Sequence, residues 1–179
     1  MKPKTAVSLA GLVASLVLGS TAFAADVSVK LTNVHLCCDS CVHGVERAIS
    51  PVSGAVAESD KDSDTVVLTA PDKATVQKAV NALVAAGYFG ASSDPAIKVV
   101  AATGATDAKV QGVEVAGVHL CCKSCVTAVN KALSQVPGVT GTTAAKDAET
   151  FQVKGDFNQK AVFDALFEAG LAGKVWASK

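Results

Sequence analysis

The chain has one methionine, one tryptophan and one tyrosine among 179 residues, and aromatic residues make up only 4 % of it. A core of this composition has to be filled by alanine and valine, with few large anchors. A surplus of charge is also missing: 16 lysines and arginines face 16 aspartates and glutamates. Without a basic excess to neutralise phosphates, a nucleic-acid binder is excluded. The sequence has no G-x-x-x-x-G-K-[ST] loop and no G-x-S-x-G, and its three histidines are scattered. Neither a phosphate cradle nor a nucleophile paired with a base is legible, which argues against an enzyme. Half the residues are hydrophobic, so the chain has enough apolar surface to fold.

The first residues read as an address. Lys2 and Lys4 precede an apolar stretch from Ala6 to Leu18, followed by Ala22-Phe23-Ala24. That order is a charged n-region, a short h-region and an A-x-A cleavage site, the pattern of a secretory signal peptide over residues 1–24. About 13 apolar or small residues fall short of the roughly 20 that span a bilayer, so stable membrane insertion is not expected. Cleavage after Ala24 removes Met1, the only methionine, and leaves 14 basic against 16 acidic residues. The expected location is periplasmic or secreted. All six cysteines stay with the exported chain, where free thiols tend to become disulfides unless something holds them.

An internal repeat organises the rest. Val-His-Leu-Cys-Cys-Asp-Ser-Cys at 34–41 returns as Val-His-Leu-Cys-Cys-Lys-Ser-Cys at 118–125. Val42, Val45, Ala48, Val52 and Gly54 recur as Val126, Val129, Ala132, Val136 and Gly138. Leu83, Ala86, Gly87 and Gly90 recur as Leu166, Ala169, Gly170 and Gly173. The period is that of a small domain, longer than a solenoid repeat.

Within each copy the periodicity changes in a fixed order. Val27, Val29 and Leu31 alternate with polar residues, as do Val113 and Val115, which predicts a strand. Val42, Val45 and Ile49, with Val126, Val129 and Leu133, follow helical spacing. Two short strand-like runs come next, clearest at Thr65 to Thr69. A second helix then carries Val76, Val80, Leu83 and Val84, answered by Phe163, Leu166 and Phe167. Closing strands are expected at Ile97 to Ala101 and at Lys174 to Trp176. The order βαββαβ predicts an α+β protein of two tandem ferredoxin-like domains, 27–101 and 112–178, joined by a flexible linker at 102–111.

These units resemble heavy-metal-associated domains, the modules of copper chaperones, of metal-pumping ATPase tails and of periplasmic mercury-binding proteins. The family motif Gly-Met-Thr-Cys-x-x-Cys corresponds to His35-Leu36-Cys37-Cys38-Asp39-Ser40-Cys41 and to His119-Leu120-Cys121-Cys122-Lys123-Ser124-Cys125. Val-Pro-Gly-Val at 136–139 and Ala-Gly-Tyr at 86–88 also match. The front of the motif departs: His, Leu and Cys stand where the family has Gly, Met and Thr. In the arrangement the resemblance implies, Cys38 and Cys122 leave the first strand and Cys41 and Cys125 lie in the first helical turn, with Tyr88 in a loop beside the metal.

Sulfurs three residues apart at a helix start can face one point, where unpaired N–H groups and the helix dipole favour thiolates. Thiolates select soft or borderline ions, Cu(I), Zn(II), Cd(II) or Hg(II), over Ca(II) and Mg(II). One ion per domain is expected, Cu(I) or Zn(II) foremost, held by Cys37, Cys38, Cys41 and by Cys121, Cys122, Cys125. Cys37 and Cys121 are either third ligands or small buried hydrophobes. His35 and His119, on the same strand face as the added cysteines if the strand persists, are either ligands or neighbours that brace them. Tyr88 either shields the site or fills the core, and His43 is a solvated helix residue. The function expected is that of a scavenger, buffer or carrier, with a metal transporter or another metal-binding protein as partner. Two other readings use the same cysteines: a thiol–disulfide protein working through C-x-x-C, and an interaction module with static disulfides, which would leave one thiol odd in each copy.

Overall fold

A computed structural model describes residues 25–177, so the segment read as a signal peptide, 1–24, lies outside the described residues. The first unit runs β1 (Val27–Thr32), α1 (Asp39–Ile49), β2 (Val56–Asp60), β3 (Thr65–Ala70), α2 (Lys73–Ala85) and β4 (Ala91–Ser92). The second runs β5 (Lys109–Ala116), α3 (Lys123–Ser134), β6 (Val139–Thr142), β7 (Thr150–Asn158), α4 (Gln159–Glu168) and β8 (Lys174–Val175). Each forms a four-stranded antiparallel sheet, in the orders β2-β3-β1-β4 and β6-β7-β5-β8. Two ferredoxin-like α+β domains in tandem are therefore present, as the periodicity predicts. Among the described residues no helix is long and apolar enough to cross a membrane.

The core follows from the alternation. Val29 and Leu31 of β1 turn inward while Ser28 and Lys30 face out, and Val66 and Leu68 of β3 meet them. Helix α1 covers this face with Cys41, Val45 and Ile49, and α2 with Val76, Ala79, Val80 and Leu83. Val115, Val129, Leu133, Phe163 and Leu166 repeat the scheme in the second unit. Each such aliphatic side chain contributes about 1.5–3 kcal/mol by leaving water.

Helices α2 and α4 are capped in the ordinary way: Asp72 accepts from Thr75 N at 2.7 Å and Asn158 from Ala161 N at 3.2 Å. Helices α1 and α3 start instead at Cys38 and Cys122, which make no side-chain cap hydrogen bond. Their first-turn N–H groups are left to face sulfur.

Two strand expectations need correction. The first sheet closes with Ala91–Ser92, paired to Thr32 and Leu31, and not with Ile97 to Ala101. That later stretch is held by a side chain instead of a strand: Gln77 Oε1 accepts from Lys98 N at 2.8 Å and Gln77 Nε2 donates to Lys98 O at 2.7 Å. Ile97 is buried, which explains its apolar character without a sheet partner. At the other end β8 stops at Val175, although Trp176 N still donates to Glu114 O at 2.8 Å.

The units face one another across a pseudo-twofold seam. Phe89 N donates to Gly170 O at 3.0 Å and its counterpart Ala172 N donates to Gly87 O at 2.8 Å, flanking an antiparallel bridge between Tyr88 and Leu171. His35 N adds a bond to Gly170 O at 3.2 Å, and Phe89 stacks on Phe167 with ring centroids 4.2 Å apart. Gly87 and Gly170 both have positive φ, and a Cβ on either would strike backbone of the opposite unit, at His119 N and Asn33 O respectively. Equivalent residues thus meet on both sides, as in an isologous dimer interface.

Candidate metal centre

The seam brings the two cysteine motifs together. After β1 the chain crosses residues 33–38 as a loop, pinned by Val34 N to Asp64 O at 2.9 Å and by Leu36 N to Asp64 Oδ1 at 3.2 Å. The buried side chains of Val34 and Leu36 hold it on the core. The corresponding loop after β5 is held by Asp147 N donating to Leu120 O at 2.8 Å. Strand β1 ends at Thr32 and β5 at Ala116, so the histidines do not share a strand face with Cys37 and Cys121.

Six sulfurs, three from each unit, gather in one place. Cys37 Sγ lies 3.3 Å from Cys122 Sγ and 3.5 Å from Cys125 Sγ, both across the seam, and 3.6 Å from Cys41 Sγ. Cys41 Sγ is 3.6 Å from Cys121 Sγ and 3.9 Å from Cys125 Sγ, again across the seam. Cys41 Sγ and Cys38 Sγ are 3.9 Å apart; Cys125 Sγ is 3.8 Å from Cys121 Sγ and 3.6 Å from Cys122 Sγ. All six thiols are free. Cys41 and Cys125 are fully buried and the other four are partly covered. Such a cluster of soft donors can hold a metal ion.

The thiols do not all ionise as helix-start cysteines would. Cys41 is pushed well down: Cys125 donates to it, and His119, Cys37 and Cys121 add to that against the cost of burial. Cys125 is pushed up as the donor in that pair, with burial adding to the effect. Burial raises Cys37, and it raises Cys121 to about 12. Cys122 is brought down to about 6 despite burial, by the nearby backbone N–H of Cys125 at the head of α3 and by the thiols of Cys37 and Cys125, with the N–H of Ser124 adding to them. Crowding explains the split, since adjacent thiolates repel until a cation separates them. Ligation of such thiols releases protons.

The histidines differ. The Tyr88 hydroxyl donates to Cys41 O at 2.9 Å and lies 3.0 Å from His119 Nε2, with the two rings stacked at 4.6 Å. One His119 nitrogen is within 4.8 Å of the sulfurs of Cys41, Cys121 and Cys125. Tyr88 is thus both a core residue, 1 % exposed, and the group that holds His119 in place across the seam. Its counterpart Leu171 has no hydroxyl, and His35 Nε2 is buried without a hydrogen-bond partner. A His35 nitrogen lies within 4.8 Å of Cys37 and Cys125, and burial lowers its pKa. His43 stands in solvent, 3.0 Å from Glu46 Oε2, as expected.

Three glycines matter that no ligand motif marks. Gly87 and Gly170 let the backbones meet, and Gly44 leaves room for the Tyr88 hydroxyl, which a Cβ there would overlap. The recurrence of Ala-Gly after the second helix of each unit was the available signal; Gly44 had none, since Ala128 stands at its equivalent.

No family profile matches the chain, and no curated protein sequence matches it. Among solved structures, the copper binding domain from HMA7, a P-type ATPase, aligns at 21 % identity over 38 % of this chain and 96 % of that one, with a TM-score of 0.35. The N-terminal soluble domains of Bacillus subtilis CopA align at 16 % identity over 86 % of this chain and 95 % of that one, with a TM-score of 0.30. At these scores the fold rests on the strand order and the chemistry on the cysteines.

Proposed function

We propose that this chain is an exported binder of soft metal ions, acting as scavenger, buffer or carrier, and that its two units close on one shared thiolate centre. The observation that carries this reading is the convergence of six free cysteine sulfurs from both units, with contacts as short as 3.3 Å across the seam. The resemblance of each unit to heavy-metal-associated domains supports it, as does the preference of clustered thiolates for d10 ions. Cu(I) heads the candidates, ahead of Zn(II), Cd(II) and Hg(II). A periplasmic or secreted location, with a metal transporter or another metal-binding protein as partner, follows from the N-terminal segment and the carrier role.

Elemental analysis of protein isolated anaerobically tests this, beside titration with Cu(I) and Zn(II). Bound copper or zinc that is lost on replacing Cys41 and Cys125 by serine is the expected result. A fully reduced chain that takes up neither ion overturns the reading. The half-exposed, acidified Cys122 is the one observation favouring a thiol–disulfide protein instead; strong insulin reduction without metal uptake would select it.

A further inference from the structure

The way the six sulfurs are connected says more than that they are close. Eight of their fifteen pairs lie within 4.0 Å, and Cys37–Cys38, Cys38–Cys121, Cys38–Cys122 and Cys121–Cys122 lie within 4.8 Å. The three pairs left over, Cys37/Cys121, Cys38/Cys125 and Cys41/Cys122, share no sulfur. Twelve edges with three opposite pairs is the connectivity of an octahedron. The seam's pseudo-twofold preserves it, passing through the Cys41–Cys125 and Cys38–Cys122 edges.

An octahedron of donors offers eight triangular faces. Ions on faces that share an edge would nearly overlap, so at most four alternate faces fill. One such set is Cys37–Cys38–Cys41, Cys37–Cys122–Cys125, Cys38–Cys121–Cys122 and Cys41–Cys121–Cys125, and every sulfur belongs to two of its faces. At the centre of the last face an ion would sit about 2.2 Å from each sulfur, against ~2.3 Å for a zinc–thiolate bond.

Resting on the reading above, we propose that the protein stores copper as a cage of four Cu(I) ions bridged by all six thiolates, each ion bound by three sulfurs. Counted from the fully protonated cluster, loading breaks six S–H bonds, forms twelve Cu–S bonds and releases six protons, without oxidation or reduction; a thiol that is already ionised releases none. Four unit charges against six thiolates leave −2. The positive dipole ends of α1 and α3 face that charge, and Lys61 interacts electrostatically with Cys38, Lys146 with Cys121 and Cys122. Each lysine also pairs with a carboxylate, Asp39 and Asp147 respectively. Zn(II) fits this frame poorly. It prefers four ligands in a closed tetrahedron, each face supplies three sulfurs, and four divalent ions would reverse the sign of the cluster.

Anaerobic titration of the full chain with Cu(I) against a competing chelator tests the cage, read by native mass spectrometry and X-ray absorption. Saturation at four ions per chain, with trigonal sulfur coordination and a copper–copper scattering shell, is expected. Saturation at one or two ions, or four without that shell, overturns the cage and leaves metal binding standing. No uptake overturns both. Cys37→Ser removes two of the four faces, so the copper content should halve while the circular dichroism spectrum is kept. Cys121→Ser, at the opposite corner, should do the same. The double variant leaves no face intact and should abolish the copper–copper shell, although both C-x-x-C pairs survive; a shell that persists there overturns the proposal.

Discussion

The two units share a fold, three cysteines and a histidine two residues before them, yet they treat that histidine differently. His119 stacks on Tyr88 and hydrogen-bonds to it, while His35 meets no such partner because Leu171 occupies the equivalent place. The difference extends beneath the ring: Gly44 makes room for the tyrosine hydroxyl, and Ala128 stands where no hydroxyl needs room. Two differences, Gly44 against Ala128 and Tyr88 against Leu171, therefore form one unit of divergence and set the histidine environment. Each copy keeps its sulfurs, and the copies diverge in what braces them.

The seam is where this comparison breaks most severely. Gly170→Val places a branched side chain at positive φ against Asn33 and His35. It should cost roughly 2–4 kcal/mol and lower the metal content. Gly87→Val, its counterpart, should match it; urea denaturation and copper stoichiometry measured side by side check that equality, and a large difference would mean the seam is less symmetric than its hydrogen bonds.

A smaller effect isolates the divergence itself. Gly44→Ala should destabilise by about 1–3 kcal/mol because the new methyl overlaps Tyr88, although alanine suits a helix better than glycine by roughly 1 kcal/mol. Adding Tyr88→Leu converts this side to the pattern of the other unit and should recover much of the loss. A double-mutant cycle on thermal or urea unfolding gives the coupling, and additive effects would show that the two positions do not act together.

The smallest effect concerns acid. Asp72 caps α2 and its carboxyl is held below the usual range by the backbone N–H and side chain of Thr75, whereas Asn158 caps α4 and cannot titrate. A depressed carboxylate stabilises the fold above its unfolded pKa, and that stability is lost as pH falls through the folded value. Below about pH 4 the first unit should therefore lose its cap while the second keeps it. Asp72→Asn should flatten the acid limb of stability measured by denaturation across pH.

Much of this was legible in the chain. Alternation in Val27 to Leu31 and helical spacing in Val76 to Leu83 gave the elements, because each reflects one buried face. The cysteines were placed at the helix heads by the resemblance to heavy-metal-associated domains, beside the helical spacing of Val42, Val45 and Ile49. The shared centre was not legible, because the groups that close it are backbone carbonyls of Gly87 and Gly170, and a carbonyl has no residue type. Ile97 misled for a related reason: burial of a loop residue leaves the same apolar signature as burial in a sheet. The opposite shifts of Cys41 and Cys125 were equally hidden, since those two sulfurs meet from 84 residues apart in sequence.

The segment between the units is fastened to the second of them. Thr103 O accepts from Val175 N at 2.8 Å, and Gln159 Oε1 accepts from Thr106 N at 2.8 Å and from Thr106 Oγ1 at 2.9 Å. A short, pinned tether makes closure of the halves an intramolecular event with a high effective concentration. Dilution that would dissociate a pair of separate subunits leaves this one assembled, so its capacity should not vary with how many copies a cell makes.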